Sequence, residues 1–257
     1  MQKTDQVEII QEIQKAPDVF YKGMTWKLWN DQILRAGQLQ IDIDHFLLEL
    51  HHAGHIPPVM RLWQNHACLV VSRSDARLPE YGAAELFFKD KNIPLYIRTS
   101  GGTVVPHGPG VLNISLIFSR VDENITLERS YIILCDLVAE AMVGMGLLSD
   151  IRDVAGSFCD GRFNLTIEGR KVGGTAQRIK IHHNGRKSFL SHMCLLLDLD
   201  LREVVQDISD FYSLCGVSSN IQADSITTLA KERREVAVEG STLSLFLKSF
   251  HKSLITP

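Results

Sequence analysis

Residues 163–197, "FNLTIEGRKVGGTAQRIKIHHNGRKSFLSHMCLLL", read as a meander of three strands. Phe163, Leu165 and Ile167 alternate with polar residues, the period-2 pattern of a strand with one face buried. Glu168-Gly169-Arg170 turns the chain and Lys171 opens the return strand. Asn184-Gly185 is the strongest short-range hairpin signal in the chain, because both residues tolerate the positive φ of a tight turn. The third strand runs over 189–199. Two features do not follow from the strand pattern. Gly173-Gly174 stands inside a strand, where paired glycines suit another backbone or an apolar chain passing close by. Lys171 would, on pattern alone, be an exposed edge lysine after a hairpin turn.

Outward from the meander, short apolar runs at 59–63, 67–71, 93–98 and 111–118 read as further strands. Helical periods are expected over residues 41–53, 79–91 and 126–148 and over most of the last sixty residues, where a Thr/Ser-x-x-Glu start precedes an apolar period near 3.6. The first forty residues are read as a helical extension, with Val7, Ile9, Ile10 and Ile13 as its stripe and Pro17 as its stop. The expectation is an α+β fold. It has two parts: an extension over 1–40, and one domain over 41–257, a mixed and mainly antiparallel sheet with flanking helices and no separate accessory domain.

The chain has 257 residues, 45% hydrophobic and 22% charged, which suits a folded globular protein and excludes disorder as a class. The net charge of −3 supplies no broad basic field for nucleic acid, although a local basic patch could meet an acidic protein. No run approaches 18 uninterrupted apolar residues, so no membrane span is expected, and the N-terminus lacks the apolar core of a signal peptide. Five scattered cysteines (Cys68, Cys135, Cys159, Cys194 and Cys215) argue for a reducing, cytoplasmic setting. No CxxC pair occurs, and His192-x-Cys194 is too little for a zinc site, so no metal is expected.

The loop "RTSGGTVVPHGPGVLN", residues 98–113, places four glycines between two strands. It lacks the GxxxxGK[ST] spacing of a P-loop, and a strand follows where a dinucleotide-binding fingerprint needs a helix. By itself it is either a glycine-bent connection or a backbone cradle for a ligand. The loop resembles the signature of lipoate-protein ligases and lipoyl or octanoyl transferases. "DHFLLELHHAG", "MRLWQNHACLVVSRSD" and "DGRFNLTIEGRKVGGTAQR" resemble that family's first helix, opening hairpin and lysine motif in the same order. The resemblance runs from about residue 41 to residue 230. It implies the mixed sheet shared with biotin-protein ligases. It also implies that Lys171 hydrogen-bonds the reacting acyl carbonyl. Arg98, Ser100, Gly101, Gly102, Thr103, His107, Gly108, Gly174 and Thr175 are implied along the acyl site.

Within that family the chemistry divides at residues 156–161, "GSFCDG". A ligase activates the acyl group with ATP and needs no nucleophilic side chain, whereas a transferase that works through an acyl-enzyme needs a thiol. The segment resembles the Gly-Ser-Tyr-Cys-Pro-Gly loop of the cysteine-dependent octanoyl (lipoyl) amidotransferases, with Asp160 in place of the proline. That resemblance makes Cys159 the nucleophile and Lys171 its partner, with no cofactor required beyond lipoate or octanoate as the acyl substrate. Lipoyl carrier proteins (the glycine-cleavage H protein or dehydrogenase lipoyl domains) or acyl carrier protein are the implied partners. Thr103, β-branched where ligases carry glycine, narrows the approach to a nucleotide phosphate. The alternatives are an ATP- and magnesium-dependent ligase and a non-catalytic acyl- or carrier-binding protein. Cys215-Gly216 is a competing thiol, and His107 is a candidate base.

Overall fold

In the computed structural model, which describes residues 1–119, 125–233 and 240–255, the chain opens with α1 (Lys3–Lys15). Ile9 and Ile13 are its buried stripe, and it ends before Pro17. The rest of the expected N-terminal helical extension is different. Residues 18–31 form a hairpin, β1 (Asp18–Tyr21) and β2 (Met24–Asp31), turned at Lys22 (φ 47°) and Gly23 (φ 78°). Successive positive φ values are the signature of a tight hairpin turn, and Trp26 and Leu28 alternate into the core. Sheet pairing overrides the weak local helical period here.

The chain continues through α2 (Gly37–His52), β3 (Val59–Trp63), β4 (Cys68–Val71), α3 (Tyr81–Asp90), β5 (Leu95–Ile97), β6 (Val105–His107) and β7 (Val111–Ser119). Then come α4 (Leu127–Val143), β8 (Asp150–Arg152) and the meander β9 (Asn164–Ile167), β10 (Arg170–Ile181) and β11 (Lys187–Leu196). Three helices follow: α5 (Leu201–Leu214), α6 (Leu229–Glu232), which Thr228 caps, and α7 (Thr242–Ile255). Part of the helical period expected near the C-terminus, 234–239, lies outside the described residues.

Eight strands make one sheet in the order β1-β2-β3-β7-β11-β10-β9-β8. Only β2 and β3 run parallel, joined by α2 as a crossover; every other neighbour is antiparallel. A smaller sheet, β5-β4-β6, stands apart. One face of the large sheet packs Trp26, Leu62, Ile114 and Phe189 against α4 and α7. The other face is covered by α1 and α2 through Ile13, Ile43 and Leu47. The small sheet packs with Phe88 of α3 and Phe211 of α5. Among the described residues no helix is long and apolar enough to cross a membrane.

A buried charge fixes α2 onto β3. Arg61 has no exposed surface. Its guanidinium donates to Asp31 Oδ2 (2.7 and 3.0 Å), Asp44 Oδ1 (2.7 Å), Gln40 Oε1 (2.7 Å) and the Gln40 carbonyl (2.9 Å). Asp44 also accepts from Ser115 Oγ at 2.5 Å, and Ser115 accepts from Trp63 Nε1 at 3.0 Å. Removing the arginine leaves the Asp44 carboxylate buried without its cation and takes one of two cations from Asp31, which Arg35 still pairs. Arg61→Ala is therefore expected to lower stability by about 3–5 kcal/mol, read as a shift in the urea midpoint at unchanged slope.

Candidate active site

The segment before β9 and the loop before β6 meet at a single thiol. Cys159 lies in the loop between β8 and β9 with φ 50°, a left-handed conformation that a non-glycine residue keeps only when its surroundings impose it. Lys171, fully buried at the start of β10, imposes it. Its ammonium donates to the carbonyls of Phe158 and of Cys159, the latter at 2.9 Å, and lies 4.8 Å from the centre of the Phe158 ring.

The glycine loop clasps the same cysteine from the other side. The Thr103 N–H donates to Cys159 Sγ at 3.4 Å, and the Cys159 N–H donates back to Thr103 Oγ1 at 3.0 Å. Arg98 Nη2 donates to the Thr103 carbonyl at 2.6 Å and reaches Sγ at 3.8 Å. Gly102, at φ 94°, passes so close that a Cβ there would stand 2.5 Å from Sγ and 2.7 Å from Arg98 Nη2. A Cβ on Gly174 would stand 2.9 Å from Lys171 Cε, so the paired glycines in β10 make room for the lysine stem. Thr103, read from the sequence as an obstacle to a nucleotide, is half of a reciprocal clamp on the cysteine.

Two cations and an N–H around one sulfur favour the thiolate. Burial pushes the Cys159 thiol up. The Arg98 guanidinium, then Lys171 and the Thr103 N–H, more than offset this and hold it below the ordinary thiol range. Burial lowers Lys171 to about 8, with Cys159, Cys194 and Asp160 opposing the shift. The other four cysteines carry thiols raised chiefly by burial. Cys215, the competing thiol, has no exposed surface and closes the C-terminal end of α5.

A cavity next to this cluster is lined by Trp63, Val70, Arg98, Ser100, His107 and His192, among others. Ser100 Oγ and His192 Nε2 are 2.7 Å apart. Burial, with Arg98 adding to it, takes both His107 and His192 to about 3, so both rings are neutral at physiological pH. His107 stands edge-on to Trp63, with ring centres 5.5 Å apart, and its Nδ1 has no partner among the described residues.

The structure thus brings together Cys159, Lys171, Arg98, Gly102, Thr103 and Gly174, with Ser100 and His107 in the adjoining wall. Gly101, between Ser100 and Gly102, faces open space, and Gly108 packs against Ala67. Thr175 faces the opposite side of the sheet and donates to the Phe163 carbonyl at 2.7 Å, because side chains alternate along β10 and Gly174 takes the site face. His192, Trp63 and Asp44 were not legible as site residues, although the period of β11 sets His192 two residues from Cys194 on one face.

Alkylation of Cys159 by iodoacetamide is expected to follow a midpoint below that of an ordinary thiol, and Arg98→Gln should move it upward. Gly102→Ala should slow alkylation by about tenfold or more through displacement of the sulfur, and the strain of a Cβ at this positive φ should also lower the unfolding midpoint. Both are read by intact mass against pH.

Comparison with known proteins places this chain in a family. The "Octanoyl-[GcvH]:protein N-octanoyltransferase" of Kyrpidia tusciae is 37% identical over 178 residues, which cover 67% of this chain and 62% of the relative. The like-named protein of Geobacillus kaustophilus is 33% identical over 53% of this chain and 48% of its own. The chain thus spans about half to three-fifths of the length of these curated relatives. A lipoate-protein ligase A crystallised with ATP has the same fold, with a TM-score of 0.60 at 15% identity over 88% of this chain and 85% of that one. A family model described as "Lipoyl protein ligase A/B catalytic domain" matches residues 37–245, and the chain belongs to that family.

Proposed function

We propose that the protein transfers an octanoyl or lipoyl group to a lysine of a lipoyl carrier domain through a thioester on Cys159. One observation carries this reading: Sγ sits among Arg98, the Thr103 N–H and the charge of Lys171, and its thiol is shifted toward the thiolate. The names of the relatives, which specify acylated GcvH as donor, support an acylated carrier protein as the donor here.

In the first half-reaction the Cys159 thiolate attacks the acyl carbonyl of the donor. The new C–S bond forms, charge builds on the carbonyl oxygen, and the buried cations stabilise it in a site of low dielectric. The C–N bond to the donor lysine then breaks, and that amine leaves with a proton. In the second half the neutral amine of the acceptor lysine attacks the thioester, the C–S bond breaks and the thiolate returns. Lys171 suits both proton movements. At about 8 it is held largely as the ammonium near neutral pH, yet it deprotonates far more readily than a surface lysine. ATP has no role in this sequence, because the donor is already acylated.

Incubation with an octanoylated carrier protein, without ATP, is expected to add one octanoyl mass to Cys159, and Cys159→Ser should abolish transfer. Transfer that requires ATP and survives Cys159→Ser would sink the proposal. The rate of Cys159 acylation should rise with pH as the thiolate forms and fall above about pH 8 as Lys171 loses its proton. Lys171→Arg, which stays charged, should remove the alkaline fall. Lys171→Met should slow acylation by about a hundredfold or more.

A further inference from the structure

Between Glu168 and Asp198 the chain carries no carboxylate. The same stretch holds six cations: Arg170, Lys171, Arg178, Lys180, Arg186 and Lys187. The net charge of the whole chain is −3, so −3 less +6 leaves −9 on the remainder. The asymmetry is concentrated on the β10–β11 hairpin.

Not all of these charges are free. Lys171 is inside the active site, and Arg170 pairs with Glu168 and Glu232. Lys180 pairs with Glu49 of α2. Arg178, Arg186 and Lys187 have no carboxylate partner among the described residues. Arg186 is 3.4 Å from His182 Nε2, and the His182 ring lies against His52, tilted by 33°, with centres 3.6 Å apart. His52 and His182 are both lowered, first by burial, so the arginines and lysines supply the charge at neutral pH.

The hairpin also leads to the thiol. In β10, Gly174, Ala176, Arg178 and Lys180 share one face, with Gly174 against the Lys171 stem. From Gly174 to Lys180 is roughly 20 Å of strand. Arg178 Nη1 donates to the Thr99 carbonyl at 3.1 Å, which ties the root of the hairpin to the glycine loop that clasps Cys159. The wall of the cavity is continuous with this face through His192 and Leu190, which pair with Ala176 and Arg178.

We infer that the β10–β11 hairpin, through Arg178 on the face that leads to the cavity and Arg186 and Lys187 at its closed end, where Lys187 lies opposite Ile181 on the other face, is the docking surface for an acidic face of the protein carrier that delivers its acylated lysine to the cavity. The inference rests on the carrier-to-carrier reading above. Opposite charge draws the acidic face to the hairpin, and the tie from Arg178 to Thr99 sets the docked domain beside the glycine loop. Contacts of this kind govern encounter and register more than chemistry. Their effect belongs in the binding of the carrier and in its salt dependence.

The test is binding of a purified, octanoylated acidic lipoyl domain to the full chain carrying Cys159→Ser, which holds the substrate without turning it over. Arg186→Glu with Lys187→Glu is expected to weaken binding by about tenfold or more and to flatten its dependence on salt between about 50 and about 300 mM. Arg186→Lys with Lys187→Arg should restore it. In the chain with Cys159 intact, the charge-reversed variant should still load octanoate from a small uncharged thioester, octanoyl-N-acetylcysteamine, at the rate of the parent protein. Unchanged binding in the charge-reversed variant overturns the docking surface. So does a short DNA duplex that binds as tightly as the lipoyl domain, because the hairpin would then be a general polyanion site. Failure of the parent protein to load Cys159 from any donor, with the binding pattern as expected, overturns the acyl-transfer reading and leaves the docking surface standing.

Discussion

A positive charge with no exposed surface has to be answered inside the protein, and the ammonium of Lys171 is answered by two backbone carbonyls. Those carbonyls belong to Phe158 and Cys159. Their convergence on one ammonium holds the loop in a shape that puts Cys159 at positive φ. Once the loop is held, the sulfur has one place to go, under the glycine loop and within reach of Arg98 and the Thr103 N–H. The lysine therefore positions the Cys159 sulfur through the backbone and tunes it through charge.

The glycines follow from the same constraint. Gly102 is required because sulfur and guanidinium already occupy the space a Cβ would take, and its positive φ adds a second reason. Gly174 is required because the lysine stem lies across it. Under the cavity, the Arg61 network joins β2, β3, α2 and β7 through Asp31, Gln40, Asp44 and Ser115, and Trp63 carries it up to the cavity wall. One buried cation shapes the Cys159 loop and another fixes the floor beneath the cavity. Both are surrounded by groups that would be costly to leave unpaired.

Much of this was legible in the chain. The alternation at 163–167, the turn at Glu168-Gly169 and the signal at Asn184-Gly185 gave the meander, and Glu168 and Gly169 have the positive φ values that a two-residue turn needs. The motif around Lys171 and the cysteine at 159 singled out two residues that the fold brings together. Three readings failed for identifiable reasons. The hairpin at 18–31 was hidden because β1, at four residues, carries little period and the turn, Lys22-Gly23, is not a strong signal. Thr175 was assigned by proximity in sequence, although neighbours on a strand face opposite ways. His192 was passed over because a histidine within an apolar strand reads as core until its partner, Ser100, is in view.

By itself the sequence determined the family and the antiparallel centre of the sheet and brought Cys159 and Lys171 forward as a pair, because periodicity, turn residues and a dense local motif are properties of neighbouring residues. Tertiary structure decided the register and the electrostatics. A two-residue turn at Asn184-Gly185 would have set Leu195 opposite Gly174. The observed turn closes from His182 to Arg186 and sets Cys194 there, with His192 on the same face beside the cavity. A one-residue slip exchanges the two faces of a strand, so this choice falls to packing on both sides of the sheet. The shift of the Cys159 thiol likewise needs Arg98, 61 residues away in the chain, to lie within 3.8 Å of the sulfur. A Coulomb interaction depends on distance in space, and only the folded chain fixes that distance.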